Sequence, residues 1–437
     1  MPAAAPAPLR HDPYAALRIP DFRRLISARA SMVIATQIQG AVVSWQILKL
    51  TGDPLALGLI GLAEAIPSIV VSLYAGHVAD SVRRKNIIVL AVAVLLLCSV
   101  ALWWLSGPWG RPLLAKEALY TLPLYAVLFV SGIARGFLGP ALFSFMPQLL
   151  PDRERLSNAI TWNSTTWQAS SVIGPAIGGL IIGFAGRVHP ETGITTAYAV
   201  DAGLMALALG LYVSIAGRPL PVREGEKPSL KESLLTGVQF IFGNQLVLAA
   251  LSLDLFAVLF GGAVALLPIF ADTILKVGAQ GYGYLRAAPA VGSVLMAVAL
   301  TYFPLWRHAG RKLLWAVAGF GAATIAFALS TNFWLSLFLL FLTGVFDSVS
   351  VIVRSTLIHT FTPEYMKGRV SAVNNIFIGS SNEIGAFESG VMARWLGVVP
   401  SVVFGGLMTL GVVGVTAWRA DKLRTLDLTP KQAEPAV

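Results

Sequence analysis

Gly76-His77-Val78-Ala79-Asp80-Ser81-Val82-Arg83-Arg84-Lys85 separates two long apolar runs with hardly a spacer. A turn this short makes the flanking helices antiparallel neighbours, and three consecutive bases at a membrane boundary are held on the cytoplasmic side. From Asp80 to Arg307, 227 residues on, the same arrangement returns: an apolar run ends in Arg307-His308-Ala309-Gly310-Arg311-Lys312 and the next begins at once. A second place repeats as well. Pro151-Asp152, Leu156-Ser157-Asn158-Ala159-Ile160 and Asn163 follow the fourth run; Pro363-Glu364, Arg369-Val370-Ser371-Ala372-Val373 and Asn374-Asn375 follow the tenth, about 212 residues later. Agreement at two loops, each after an even-numbered run, makes the chain two copies of one membrane-embedded unit.

Composition agrees. Hydrophobic residues make up 56% of the 437 residues and charged residues 12%, about half the charge of a soluble domain. That length holds roughly twelve helices of about 20 residues. The net charge of +10 is interleaved with apolar runs rather than gathered into a patch, so it reports topology and no nucleic-acid partner is expected. Cys98 lies inside an apolar run and reads as a buried thiol, with no disulfide or Cys-based metal site.

The apolar runs cover 26–49, 55–78, 86–106, 122–145, 160–184, 197–216, 246–270, 283–304, 313–330, 332–351, 370–393 and 399–418. Each can cross a hydrocarbon core of about 30 Å as a helix that satisfies its own backbone. The expected fold is therefore all-α integral membrane: twelve transmembrane helices in two pseudo-symmetric six-helix halves. Arg83, Arg84, Lys85, Arg153, Arg155, Arg218, Arg223, Lys227, Lys231, Arg307, Arg311, Lys312, Lys367 and Arg369 fall on one side. Arg111, Lys116, Arg187 and Lys276 fall on the other. This asymmetry places both termini in the cytoplasm.

The expected organisation is a tail and lead-in over 1–25, a first bundle over 26–216, a cytoplasmic linker over 217–245, a second bundle over 246–418 and a tail over 419–437. No removable signal peptide is read at the start. Pro13 to Leu25 reads as a short amphipathic helix on the inner surface with Arg18, Arg23 and Arg24 on its polar side, or as a solvated polar lead-in. In the linker, Leu230, Leu234, Leu235, Val238 and Ile241 recur at helical spacing after Ser229.

At these residues the chain resembles major facilitator transporters. Gly76, Asp80, Arg83, Arg84 and Lys85 look like the family's signature loop. Gly174, Pro175, Gly178 and Gly179 resemble the fifth-helix motif of antiporters, with Ser170 where a Gly is usual. Leu55-Ala56-Leu57-Gly58 with Glu64-Ala65-Ile66-Pro67, and Gly368-Arg369-Val370-Ser371-Ala372-Val373-Asn374 with Ser381-Asn382-Glu383-Ile384-Gly385, are similar to the branch of enterobactin exporters and macrolide efflux proteins. The resemblance implies fold and export and does not name a cargo.

Physical reasons stand beside it. Gly174 to Gly179 permit close helix approach and a bend, or plain small-residue packing. Asp80 can accept from backbone donors while Arg83 and Arg84 bind opposing acids or carbonyls, a breakable latch; topology alone is the other reading. Asp80 aligns with Arg307 in the second copy, which cannot form the same latch.

Ionisable residues inside spans are costly in hydrocarbon and face a cavity or a partner. They are Arg29, Glu64, Arg135, Asp201, Asp254, Asp347, Glu383 and Glu388. In this fold spans 1, 4, 7 and 10 are expected to line the cavity. That places Arg29, Arg135, Asp254 and Asp347 on the route, with Gln37, Gln39 and Trp45 from span 1. A carboxyl removed from water binds and releases a proton more readily near neutrality, and a neighbouring Arg opposes that. Glu64 and Glu383, near mid-depth where the halves meet, lead as proton carriers, with Glu388 behind them. For each acid a structural ion pair or helix cap is the alternative, and Asp201, on a peripheral span, reads as structural.

No phosphate loop or metal-spaced His and Cys cluster is present, so no enzyme activity, cofactor or metal is expected and an ion gradient must supply energy. The expected function is proton-coupled export of amphipathic small molecules, drug-like or siderophore-like, by a monomer in the lipid bilayer of a bacterial inner membrane. Metabolite uptake or lipid flipping on the same fold is the alternative, and a non-transporting receptor or scaffold is the alternative of another class.

Overall fold

The computed structural model describes residues 12–114, 121–152, 155–187, 190–219, 230–302, 308–363 and 366–427. Within them the long helices are α1 (Pro20–Thr51), α2 (Pro54–Ser81), α3 (Arg84–Ser106), α4 (Leu122–Phe145), α5 (Leu156–Ala185) and α6 (Pro190–Ser214). A linker helix (Leu230–Gly243) follows. Then come α7 (Gln245–Phe260, continued by Ala263–Ile269 and a π turn over Phe270–Ile274), α8 (Gly278–Tyr302), α9 (Ala309–Leu329), α10 (Phe333–Phe361), α11 (Lys367–Leu396) and α12 (Val398–Arg419).

Helix starts follow local chemistry. Pro20 and Pro54 open α1 and α2, where a missing N–H is harmless. The carboxylate of Asp53 and the side-chain carbonyls of Asn244 and Asn332 accept from the first free backbone N–H groups of α2, α7 and α10. Gly52, at φ 64°, supplies the left-handed residue that ends α1 and turns the chain directly into α2.

Ten of these helices are long and apolar enough to cross a membrane. The other two, α1 and α11, reach spanning length but are more polar, and the packing explains why that is tolerated. α1 lies against α5 and α6, and α11 lies against α2 and α7, so neighbouring helices shield their polar faces from lipid.

The packing repeats with an offset of six helices. In the first half α1 packs on α5 and α6, α2 on α4, and α3 on α4 and α6; in the second, α7 packs on α11 and α12, α8 on α10, and α9 on α10 and α12. The two main contacts between halves, α2 with α11 and α5 with α8, exchange under the same offset. This is an approximate two-fold axis.

Among the described residues, the buried apolar cluster shared by the halves lies at one end. One buried cluster draws on both, joining Ile38, Val42, Trp45 and Leu57 to Leu266, Phe270, Tyr282 and Val402. Two further clusters each belong to a single half: one includes Phe22, Leu95, Phe145 and Tyr212, the other Leu253, Leu313, Leu357 and Leu423. The shared cluster lies toward the α1–α2 turn, so the bundle is closed there.

Two ion pairs cross the rim of the closed end: Lys49 to Asp272 at 2.6 Å and Arg394 to Asp53 at 3.2 Å. Both are partly solvent-exposed, so each is worth about 0.2–1 kcal/mol. Asp272→Asn with Arg394→Gln is therefore expected to favour opening by at most roughly thirtyfold. Spin-label distances between the α1–α2 and α7–α8 turns check this. Complete opening would show that the ion pairs, rather than the buried packing, hold the rim.

Three expectations change. Residues 13–18 form turns rather than an amphipathic helix. The Asn158 side-chain amide and the Trp162 indole both donate to the Pro13 carbonyl, at 2.7 and 2.9 Å, drawing the segment onto α5, and α1 starts afresh at Pro20. Span 6 begins at Pro190 rather than 197, and span 10 continues to Phe361 rather than 351.

Candidate functional site

Small residues on α4 determine where its arginine goes. A Cβ at Gly132 would collide with the Glu64 carbonyl and the Pro67 ring, and one at Gly136 would lie 2.8 Å from the Ser68 carbonyl oxygen. Without those atoms α2 packs directly on α4. The approach sets Arg135 against Glu64, with Nη1 2.5 Å from Oε1, and the Ser131 hydroxyl, one turn away, donates to the same oxygen at 3.5 Å.

The second half completes the cluster. A Cβ at Gly61 would lie 2.7 Å from Oε2 of Glu383, so that carboxyl from α11 rests in the space beside α2, one turn from Glu64. Glu383 is in electrostatic range of Glu64, Arg135 and Arg286. From α8, Arg286 donates to the Tyr282 hydroxyl at 3.0 Å and reaches toward Gly40 of α1. Tyr282 in turn stacks on Trp45, ring centroids 5.7 Å apart. Each half thus contributes one carboxyl and one guanidinium where the halves meet. Such a set has interchangeable pairings: a proton on either carboxyl releases an arginine to the other.

Glycine-on-glycine contacts hold the two halves around it. Gly58 of α2 meets Gly390 of α11, and Gly179 of α5 meets Gly283 of α8. Gly174 admits Gln37 and Ile34 of α1, and Gly178 lies against Ile38. The stretch with Pro175 therefore fastens α5 to α1 and, through Gly179, to the opposite half.

Other sequence candidates lie elsewhere. Gln39 and Trp45 are buried, 1% and 5% exposed, and do not line an open cavity. Both face packed helices, and Trp45 is covered by Tyr282. Asp254 is also buried, paired with Arg354 of α10, so its charge is already compensated. Arg29 is partly buried with Tyr212 of α6 as its electrostatic neighbour. Asp347 is half-buried on α10 with no ion-pair partner among the described residues. Glu388 lies five residues beyond Glu383 on α11 with a buried, unpartnered Oε1.

In the signature loop, Lys85 donates to the carbonyls of Val213 and Ile215 at 2.8 and 2.5 Å, and Arg24 donates to Ser214 at 3.2 Å. These bases satisfy the carbonyl end of α6. Arg83 is exposed at the start of α3 and Arg84 is half-buried. Gly76 and Asp80 are within α2, but the side chain of Asp80 and the surroundings of Gly76 lie outside what is described, as does Arg307.

Arg286 and Arg354 were not singled out in the sequence. Arg286 is at the edge of its apolar run and Arg354 just beyond one, where a base ordinarily snorkels to the interface.

The Major Facilitator Superfamily model matches residues 25–386. The chain is 26% identical over 400 residues to the enterobactin exporter EntS of Shigella boydii serotype 18, covering 90% of this chain and 91% of that one. Its identity to the Escherichia coli O1:K1 protein of the same name is equal. Among solved structures it resembles a bacterial homologue of the iron transporter ferroportin in the inward-facing state, with TM-score 0.68 and 15% identity, over 93% of this chain and 100% of that one. A POT family transporter in complex with 5-aminolevulinic acid matches with TM-score 0.70 and 11% identity, over 92% and 96%.

Proposed function

The chain belongs to the major facilitator superfamily, and from that premise we propose that this multi-pass membrane transporter is a proton-coupled exporter of amphipathic small molecules, working by alternating access. The observation that carries the reading is the charge set at the half interface: Glu64 paired with Arg135, and Glu383 in range of both and of Arg286. Intramembrane carboxyls at the joint between moving bodies are placed so that a proton alters the energy of closing them. The closed α1–α2 end supports the reading, because one of the two states of such a cycle must be sealed on that side.

Export as the direction is supported by the 26% identity to proteins named as enterobactin exporters and by the fifth-helix glycines. The positive-inside distribution of bases supports cytoplasmic termini in a bacterial inner membrane. Gly76, Asp80, Arg83 and Arg84 remain the proposed gate at the cytoplasmic end, whereas Lys85 is engaged with α6. Asp347 and Arg29 are the proposed contacts for charged cargo.

Inside-out vesicles with and without an imposed proton gradient test this, over amphipathic compounds beginning with enterobactin. Accumulation only with the gradient is the expected result. Equilibration without it would indicate a facilitator or uptake system. No movement of any compound, with the protein correctly inserted, would indicate a receptor or scaffold.

A further inference from the structure

A polar layer crosses the first half between its two apolar clusters. On α1 the buried members of the shared cluster begin at Ile38 and those of the first-half cluster end at Ala35; on α3 the limits are Leu102 and Leu95, and on α6 they are Tyr198 and Met205. Gln39, Ser99 and Asp201 lie in or beside these gaps, 1%, 0% and 0% exposed.

Bonds one layer nearer the closed end fix the register. Gln46 of α1 donates to Ser106 of α3 at 3.0 Å and accepts from Tyr198 of α6 at 2.8 Å, and Thr195 of α6 donates to the Ser106 carbonyl at 3.1 Å. Gln39 and Ser99 are each seven residues before Gln46 and Ser106, two turns away on the same helix faces. Asp201 belongs to the buried stripe of α6 with Tyr198 and Met205, six residues after Thr195 on a helix running the opposite way. At about 1.5 Å per residue, all three lie about 9–10.5 Å from the bonded layer. Their helices pack together, α6 against both α1 and α3.

The bonded layer is satisfied and this one is not. Both carboxylate oxygens of Asp201, both amide atoms of Gln39 and the hydroxyl of Ser99 are buried without a hydrogen bond. Asp201 has no ion-pair partner among the described residues, and Arg135, the cation whose field reaches it, is bound to Glu64. A bare buried charge and separated bare oxygens are both costly. Water would bond the oxygens and leave the charge; a proton would remove the charge and leave the oxygens unbridged. An alkali cation answers both, because hard cations take oxygen donors in flexible geometry, and one carboxylate balances one monovalent charge.

We propose that the polar layer inside the first half binds one alkali cation between Asp201 of α6, Gln39 of α1 and Ser99 of α3. The carboxylate, the side-chain carbonyl oxygen and the hydroxyl oxygen are its protein ligands. The ion ties three helices of one half together, away from the charge set between the halves, so it stabilises a moving body and does not drive the motion.

The test needs neither cargo nor a proton gradient, so it can fail separately from the transport reading. Protein purified in choline chloride is titrated with NaCl at constant ionic strength, following binding of radioactive sodium and thermal unfolding. The wild type is expected to bind one Na⁺ per chain and to unfold several degrees higher when saturated, and Asp201→Asn is expected to lose both effects. Should Asp201→Asn not fold, Gln39→Met, which keeps the volume and removes one ligand, is expected to raise the Na⁺ concentration for half-binding about tenfold. No bound Na⁺ in the wild type would leave only water in the layer and overturns the proposal. Sodium binding unchanged in the variants that fold would put the ion elsewhere and overturns it equally.

Discussion

Glu64→Gln and, separately, Glu383→Gln are expected to reduce gradient-driven accumulation to the level of vesicles without the protein, while cargo binding and cargo–cargo exchange persist. Glutamine has nearly the volume of glutamate and fixes the uncharged state, so the change acts on charge rather than packing. In Glu64→Gln the 2.5 Å contact with Arg135 loses its ionic component, and the guanidinium is free to pair elsewhere. In Glu383→Gln the repulsion across the interface between α2 and α11 is gone in every state. Either variant has one protonation state where the cycle needs two, which removes coupling and leaves the cargo route. Parallel measurement of net uptake and of counterflow separates the two effects. If both variants still concentrate cargo, these residues are structural, and coupling must be sought at Asp347 or Glu388.

The largest effect on stability is expected at Arg354. Arg354 is 3% exposed and its guanidinium is paired with Asp254, itself 6% exposed. Arg354→Met leaves a buried carboxylate without its cation, a change that costs about 3–5 kcal/mol. Asp254→Leu combined with Arg354→Met removes both charges and is expected to recover most of that loss, because a buried ion pair is itself little better than an apolar pair of like volume. Unfolding of the purified protein in detergent, with all three variants and the wild type, reads the coupling directly. Equal destabilisation by the single and the double variants would mean the pair is not the source.

The fold was legible in the sequence because a lipid environment makes hydropathy and backbone satisfaction one constraint. Twelve apolar runs and two repeated basic turns left few alternatives. The site was legible in part, since intramembrane charge is costly enough to single out Glu64, Arg135 and Glu383. The direction in which a side chain faces was not legible. On α7 the apolar residues run around the whole helix, and on α1 the polar residues are scattered around it, so nothing in their spacing distinguishes the packed side from the cavity side. Gln39, Trp45 and Asp254 were therefore expected on the route and are buried. Asp201, expected to be structural on its peripheral span, is fully buried on α6. Arg354 fell outside its apolar run because α10 extends to Phe361, ten residues beyond the drop in hydropathy.

The greater polarity of α1 and α11, tolerable once each is enclosed, bears differently on biosynthesis. Partitioning of a nascent segment into the bilayer depends on its own hydrophobicity, and each arginine at a helix centre opposes it. α11 emerges after α2 and α7 and finds its binding surfaces already in place. α1 emerges first, 105 residues before α5 begins and 139 before α6, counting from Thr51 to Leu156 and Pro190. Two helices that are equivalent in the finished architecture therefore meet unequal circumstances at the translocon. The first must be retained by its flanking arginines and by whatever receives it, until the ribosome has delivered its partners.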